Sequence, residues 1–127
     1  MRFIYIIFLF ISFTPLFAQN KSFNEVDSLL KVSFQQVSEL KFIESLKLSE
    51  KALQLSQEAK YQKGTIYAYL YIARVLQEVG LRKDAFTYID KIEDDNYFQE
   101  DAFVQAETYR LKGRIASSQG FYSLEKQ

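Results

Sequence analysis

Histidine, cysteine and tryptophan are absent from this 127-residue chain, and proline occurs once, as Pro15. Without His or Cys there is no imidazole base, no thiol nucleophile and none of the usual zinc ligand sets. No disulfide supports the fold, so packing alone must stabilise it. The four glycines, at 64, 80, 113 and 120, stand isolated, which excludes a glycine-rich phosphate loop. Neither charge sign is in excess, with sixteen basic and sixteen acidic residues. The chain therefore carries no long-range field for nucleic acid or anionic lipid, and no direct nucleic-acid contact is expected. Strand-like alternation and Gly/Ser-rich linkers are missing as well.

What is present begins with a leader. Arg2 precedes an apolar run from Phe3 to Phe13 that only Ser12 interrupts, and Thr14-Pro15 breaks it before Leu16-Phe17-Ala18. That order predicts a secretory signal peptide over residues 1–18, cut after Ala18, and hence a periplasmic or secreted protein. Leu16 is a poor residue at the −3 position, so an uncleaved N-terminal anchor is the alternative. The apolar core is shorter than the about 20 residues of a membrane span, and no membrane contact beyond the leader is expected. Loss of Arg2 leaves a charge of −1 on residues 19–127.

From Phe23 onward the chain reads as helices broken by short turns. The first segment runs from about Asn24, as N-cap, to Glu39, with Val26, Leu29, Leu30, Phe34 and Val37 on one stripe. The second spans about Phe42 to Lys60 and carries Leu46, Leu48, Ala52, Leu53, Leu55 and Ala59. Residues 61–64 form a turn or frayed start. The third, about Thr65 to Val79, is apolar almost all round, as a helix between neighbours should be, and Gly80 ends it in the left-handed conformation. The fourth spans about Arg82 to Glu93, Asp94-Asp95-Asn96 makes a turn, and the fifth runs from about Phe98 to Gln119, stopped by Gly120. A sixth begins at Phe121 and is cut short, so the chain reads as the front piece of a longer protein or a truncated frame. An exposed last helix of this kind could self-associate.

Residues forty apart match in kind: Tyr69 with Tyr109, Arg74 with Arg114, Gly80 with Gly120, Lys51 with Lys91. A fixed period of this size is the mark of stacked helical hairpins, each unable to bury its apolar face alone. The third and fourth segments, through Tyr69, Ile72-Ala73, Leu76, Gly80, Ala85, Ile89 and Ile92, resemble a tetratricopeptide repeat. Ser33, Ser45 and Ala52 hold the small positions of the preceding unit, with Leu40 where the turn glycine would stand; Tyr109, Gly113, Ala116 and Gly120 follow in the next. Lys112 and Glu125 depart from the pattern, and Ile92 is larger than it prefers. Units of about forty residues are similar to the long-helix branch found in bacterial sensory and regulatory proteins. The resemblance implies an all-α, right-handed solenoid of antiparallel hairpins over residues 19–127, about two and a half repeats behind a leader helix. An ordinary helical bundle is the alternative.

Few groups could do chemistry. Asp94-Asp95-Asn96 lacks the glycine and the final glutamate of a calcium loop, and Ser117-Ser118 has no base nearby, so no metal, cofactor or catalysis is expected. The resemblance instead implies a concave groove for a peptide or protein partner. Its groove positions fall on Tyr67, Leu70, Arg74, Gln77 and Glu78, then on Glu107, Arg110, Arg114, Ser117 and Ser118. Arg74, Arg110 and Arg114 would form one guanidinium wall able to clamp carboxylates, with Arg74 and Arg114 about 10 Å apart at ordinary helix spacing. The alternative is plain surface pairing of Arg74 with Glu78, and of Arg110 or Arg114 with Glu107. The expected function is thus an exported, non-catalytic scaffold that binds a peptide segment. The other possibility is the sensor part of a longer membrane-spanning transcriptional regulator or signalling protein.

Overall fold

Leu40, Lys60 and Gly80 have positive φ, at 62°, 54° and 87°, and follow one another at twenty-residue intervals. Each ends a helix in the same way. The N–H groups of Lys41, Tyr61 and Leu81 donate back to the carbonyls of Gln36, Ser56 and Leu76, each at 2.8 Å. A left-handed residue beneath such a returning bond is the Schellman ending, which satisfies carbonyls the helix leaves open. The expected turn at Gly80 is there. Two more are built on side chains that occupy this region at a cost.

The computed structural model describes residues 2–125, with side chains over residues 19–118. Five helices pack against one another, with no strand among the described residues: α1 (Arg2–Ser38), α2 (Phe42–Glu58), α3 (Gln62–Glu78), α4 (Arg82–Glu93) and α5 (Ala102–Glu125), with a 3-10 turn at Asn96–Glu100. Each helix touches the next through α4, and α1 and α5 both reach α3. The central position of α3 agrees with its nearly all-round apolar character: Ile66, Ala68, Leu70, Tyr71, Ile72, Ala73 and Val75 are all buried. Val26 and Leu30 from α1, Ile89 and Ile92 from α4, and Val104, Leu111 and Ile115 from α5 complete the core.

The hairpin crossings use small residues. Ser33 donates to the Ser45 carbonyl at 3.0 Å and Ser45 donates to the Ser33 carbonyl at 2.9 Å, leaving the Ser49 hydroxyl, 2.5 Å from that of Ser33, to donate to it. Forty residues on, Ala73 and Ala85 are equally buried. The buried face of α2 is therefore Ser45, Ser49, Ala52 and Ser56, while Leu53 and Leu55 are only partly covered beside it. Close helix approach admits only small side chains there, and the hydroxyls of Ser33, Ser45 and Ser49 bond across the crossing, while that of Ser56 is buried without a partner.

Several boundaries differ from the expectation. Asn24 lies inside α1 and caps nothing, because no residue from Gln19 to Phe23 stops the helix and Phe23 stacks on Tyr61 at 3.9 Å. Gln62 to Gly64 form the first turn of α3. Phe98 belongs to the 3-10 turn, and α5 starts after Asp101, whose carboxylate accepts the Val104 N–H at 3.1 Å as an N-cap does. Gly120 sits within α5 and does not end it. Continuing the existing helix through it satisfies the N–H groups of the residues beyond, which a new helix start would leave open. The side chains of the leader, including those around the cut expected after Ala18, and the side chains of the short sixth segment lie outside the described residues.

Candidate functional site

Helices α1, α3 and α5 lie side by side, and each sends rings to the same surface. Phe34 of α1 lies 5.4 Å from Tyr71 and 6.4 Å from Phe103. Tyr67 stacks on Phe103 at 5.8 Å with planes only 11° apart, and meets Tyr71 edge-on at 6.1 Å. These offset and edge contacts suit the ring quadrupoles. Tyr67 and Tyr71 share a face because they are one helical turn apart. Phe103 is the most open of the four, with 41% of its surface exposed. Between α1 and α3 the rings border a pocket of about 300 Å³ lined by Asp27, Leu30, Lys31, Phe34, Lys63, Tyr67 and Tyr71.

Asp101 fastens this wall. Its carboxylate accepts the hydroxyls of Tyr67 at 2.8 Å and Tyr97 at 2.7 Å while capping α5. Burial pushes the Asp101 carboxyl upward, yet the bonds from Tyr97, the Val104 N–H and Tyr67 outweigh it and hold it below its ordinary value. Tyr67 and Tyr97 are raised in turn, first by burial and then by Asp101. Burial lifts Tyr71 to about 12, with Arg74 acting against it. Tyr61, half-buried and donating to Asp27 at 2.8 Å, is likewise lifted to about 12, first by its burial and then by Asp27. All four phenols stay protonated at neutral pH, and those of Tyr61, Tyr67 and Tyr97 serve as donors.

The residues expected in the groove do not share one surface. Tyr67 lines the pocket, and Arg74 stands over the Phe34 ring at 5.2 Å, a cation–π contact. Leu70, 2% exposed, belongs to the core and offers a ligand nothing. Gln77 is half-buried, with its carbonyl oxygen buried and unpartnered. Arg110 is exposed and pairs with Glu107 at 3.2 Å, while Arg114 reaches across to Glu78 on α3 at 3.0 Å. Two of the three guanidinium groups thus already hold carboxylates of the protein, and Arg74 holds a ring. Ser117 is exposed, and Ser118 donates to the Ile115 carbonyl at 2.8 Å.

Phe34, Tyr71 and Phe103 were not among the expected site residues, nor were Lys31, Lys63 and Asp101. On a helical wheel Phe34 and Tyr71 look like core, and only the neighbouring helices decide that their rings edge a pocket. A signal did exist for Lys63 and Phe103, which are forty residues apart and begin equivalent helices. At the acidic turn, Asp95 accepts the Tyr97 N–H at 2.9 Å and the Gln62 amide at 2.7 Å, so it is structural. Among the described residues no helix is long and apolar enough to cross a membrane. No protein-family model, no curated protein and no solved structure matches the chain, so the ring-lined surface of α1, α3 and α5 is the firmest pointer to what it does.

Proposed function

We propose that this chain is an exported, non-catalytic scaffold of the tetratricopeptide-like kind: a right-handed solenoid whose inner face, built from α1, α3 and α5, holds a peptide or protein segment. The observation that carries this is the row of four rings drawn from three separate helices and left partly open. A scaffold that keeps aromatic groups in register presents area at small entropic cost, because the rings are already ordered before a partner arrives. Support for the stacked arrangement comes from the contact of α3 with both α1 and α5, and from helix starts at 42, 62, 82 and 102. The small-residue crossings at Ser33–Ser45 and Ala73–Ala85 fit the same unit.

The test is panning a random-peptide display library against the purified chain. Enriched peptides are expected to bind the parent about tenfold or more tightly than Phe103→Ala, a variant whose exposed ring can be removed without opening the core. Absence of enrichment, or enrichment indifferent to both Phe103→Ala and Tyr67→Phe, would remove the groove as a binding surface.

A further inference from the structure

We infer that the pocket between α1 and α3 takes an aromatic side chain from an acidic peptide, a specificity that rests on the groove binding proposed above. At about 300 Å³ the pocket stands at the lower end of ligand cavities, suited to one ring and not to a large ligand. Its apolar wall is Leu30, Phe34, Tyr67 and Tyr71. An incoming ring would join an existing set of offset and edge-on contacts.

The charges around the pocket are unequal in what they leave free. Asp27 accepts the Tyr61 hydroxyl, and Asp101 is occupied by two phenols and the cap of α5. The cations are not so occupied. Among the described residues, Lys31, Lys63 and Arg74 have no carboxylate within ion-pair distance. Lys63 stands 5.6 Å over Tyr67 and Arg74 over Phe34, while Lys31 is exposed on the α1 side. One lysine comes from each helix bordering the pocket, so carboxylates on either side of an inserted ring would each meet a cation. An ammonium on a flexible stem accepts Asp or Glu without a fixed fork geometry, so acidic character is selected and not one exact sequence. The same field disfavours a basic peptide.

The lack of tryptophan in the chain supplies the assay. A capped Glu-Glu-Trp-Glu-Glu peptide would report its own burial through a blue-shifted emission. It is expected to bind about tenfold more tightly than Glu-Glu-Ala-Glu-Glu as competitor, and to outbind Lys-Lys-Trp-Lys-Lys by at least that factor. Binding should weaken on raising salt from about 0.05 M to about 0.5 M. The double variant Lys31→Glu/Lys63→Glu, altering two exposed side chains, should lose about tenfold or more, and Lys31→Arg/Lys63→Arg should retain binding. Equal binding of the lysine-flanked peptide, or of the alanine peptide, overturns the inference. If the library yields Phe103-dependent binders while the acidic tryptophan peptide shows no shift, this specificity falls and the groove stands. If neither binds, both fall.

Discussion

Gly64 and Gly113 are the same residue in two helices, and their surroundings give opposite predictions. A Cβ on Gly64 would meet the Ser56 hydroxyl, Tyr61 Cδ2 at 2.7 Å and Val26 Cγ1 at 2.8 Å. On Gly113 it would meet nothing within 4 Å. Helix propensity alone favours alanine at both by about 1 kcal/mol. Gly64→Ala is nevertheless expected to destabilise, by about 1–3 kcal/mol, since overpacking where α1, α2 and α3 converge outweighs propensity. Gly113→Ala should stabilise by about 1 kcal/mol. Urea unfolding of both variants checks the pair, and a stabilised Gly64→Ala would mean the α1–α3 contact is looser than described. Sequence alone could not separate these glycines, because the neighbours of Gly64 come from residues 26 and 56.

At the scale of the element, helix type was legible nearly everywhere and helix ends were not. Arg82–Glu93 was expected with both boundaries as found. The apolar periodicity of α1 placed Val26, Leu30 and Val37 correctly in the core. The ends proved harder because two of the three Schellman turns use Leu40 and Lys60, residues with no propensity for the left-handed region. Tertiary packing decides there: the next helix must turn back at that point, and the returning hydrogen bond offsets the strain. Leu40 is 73% exposed, so its side chain gives little packing in return. Leu40→Gly is accordingly expected to raise stability by up to about 1 kcal/mol, whereas Gly80→Ala should lower it by about as much. Thermal melting of the two variants measures this. A lower midpoint for Leu40→Gly would show that the leucine makes a contact worth more than the backbone strain.

For the whole molecule, the tyrosines tie stability to alkaline pH. Tyr61 and Tyr71 are pushed from 10.0 to about 12, and Tyr67 and Tyr97 are raised as well. The folded chain keeps these protons where the unfolded chain releases them. Their contribution is therefore full below pH 10 and is lost as pH rises beyond it. Asp101 acts in the opposite sense: held below its ordinary 3.8, it contributes fully above that value and loses its share as pH falls through its lower folded value. No histidine titrates between these limits. The urea midpoint should be almost flat from about pH 5 to 9 and should fall by about pH 11. Tyr61→Phe together with Tyr67→Phe should reduce the alkaline fall, and an unchanged slope would count against buried, proton-holding phenols.

What the sequence by itself determined is the helical class, the forty-residue rhythm and the small residues that meet at hairpin crossings. Each follows from spacing along one chain, and spacing is local information. What only the tertiary structure decided is which aromatic groups border open space and which charges remain uncompensated beside them. Phe34, Tyr67, Tyr71 and Phe103 come from three helices, and Asp101 is withdrawn from the surface by hydroxyls on two other elements. Such a surface depends on how α1, α3 and α5 settle against one another, and no periodicity within a single helix contains that distance.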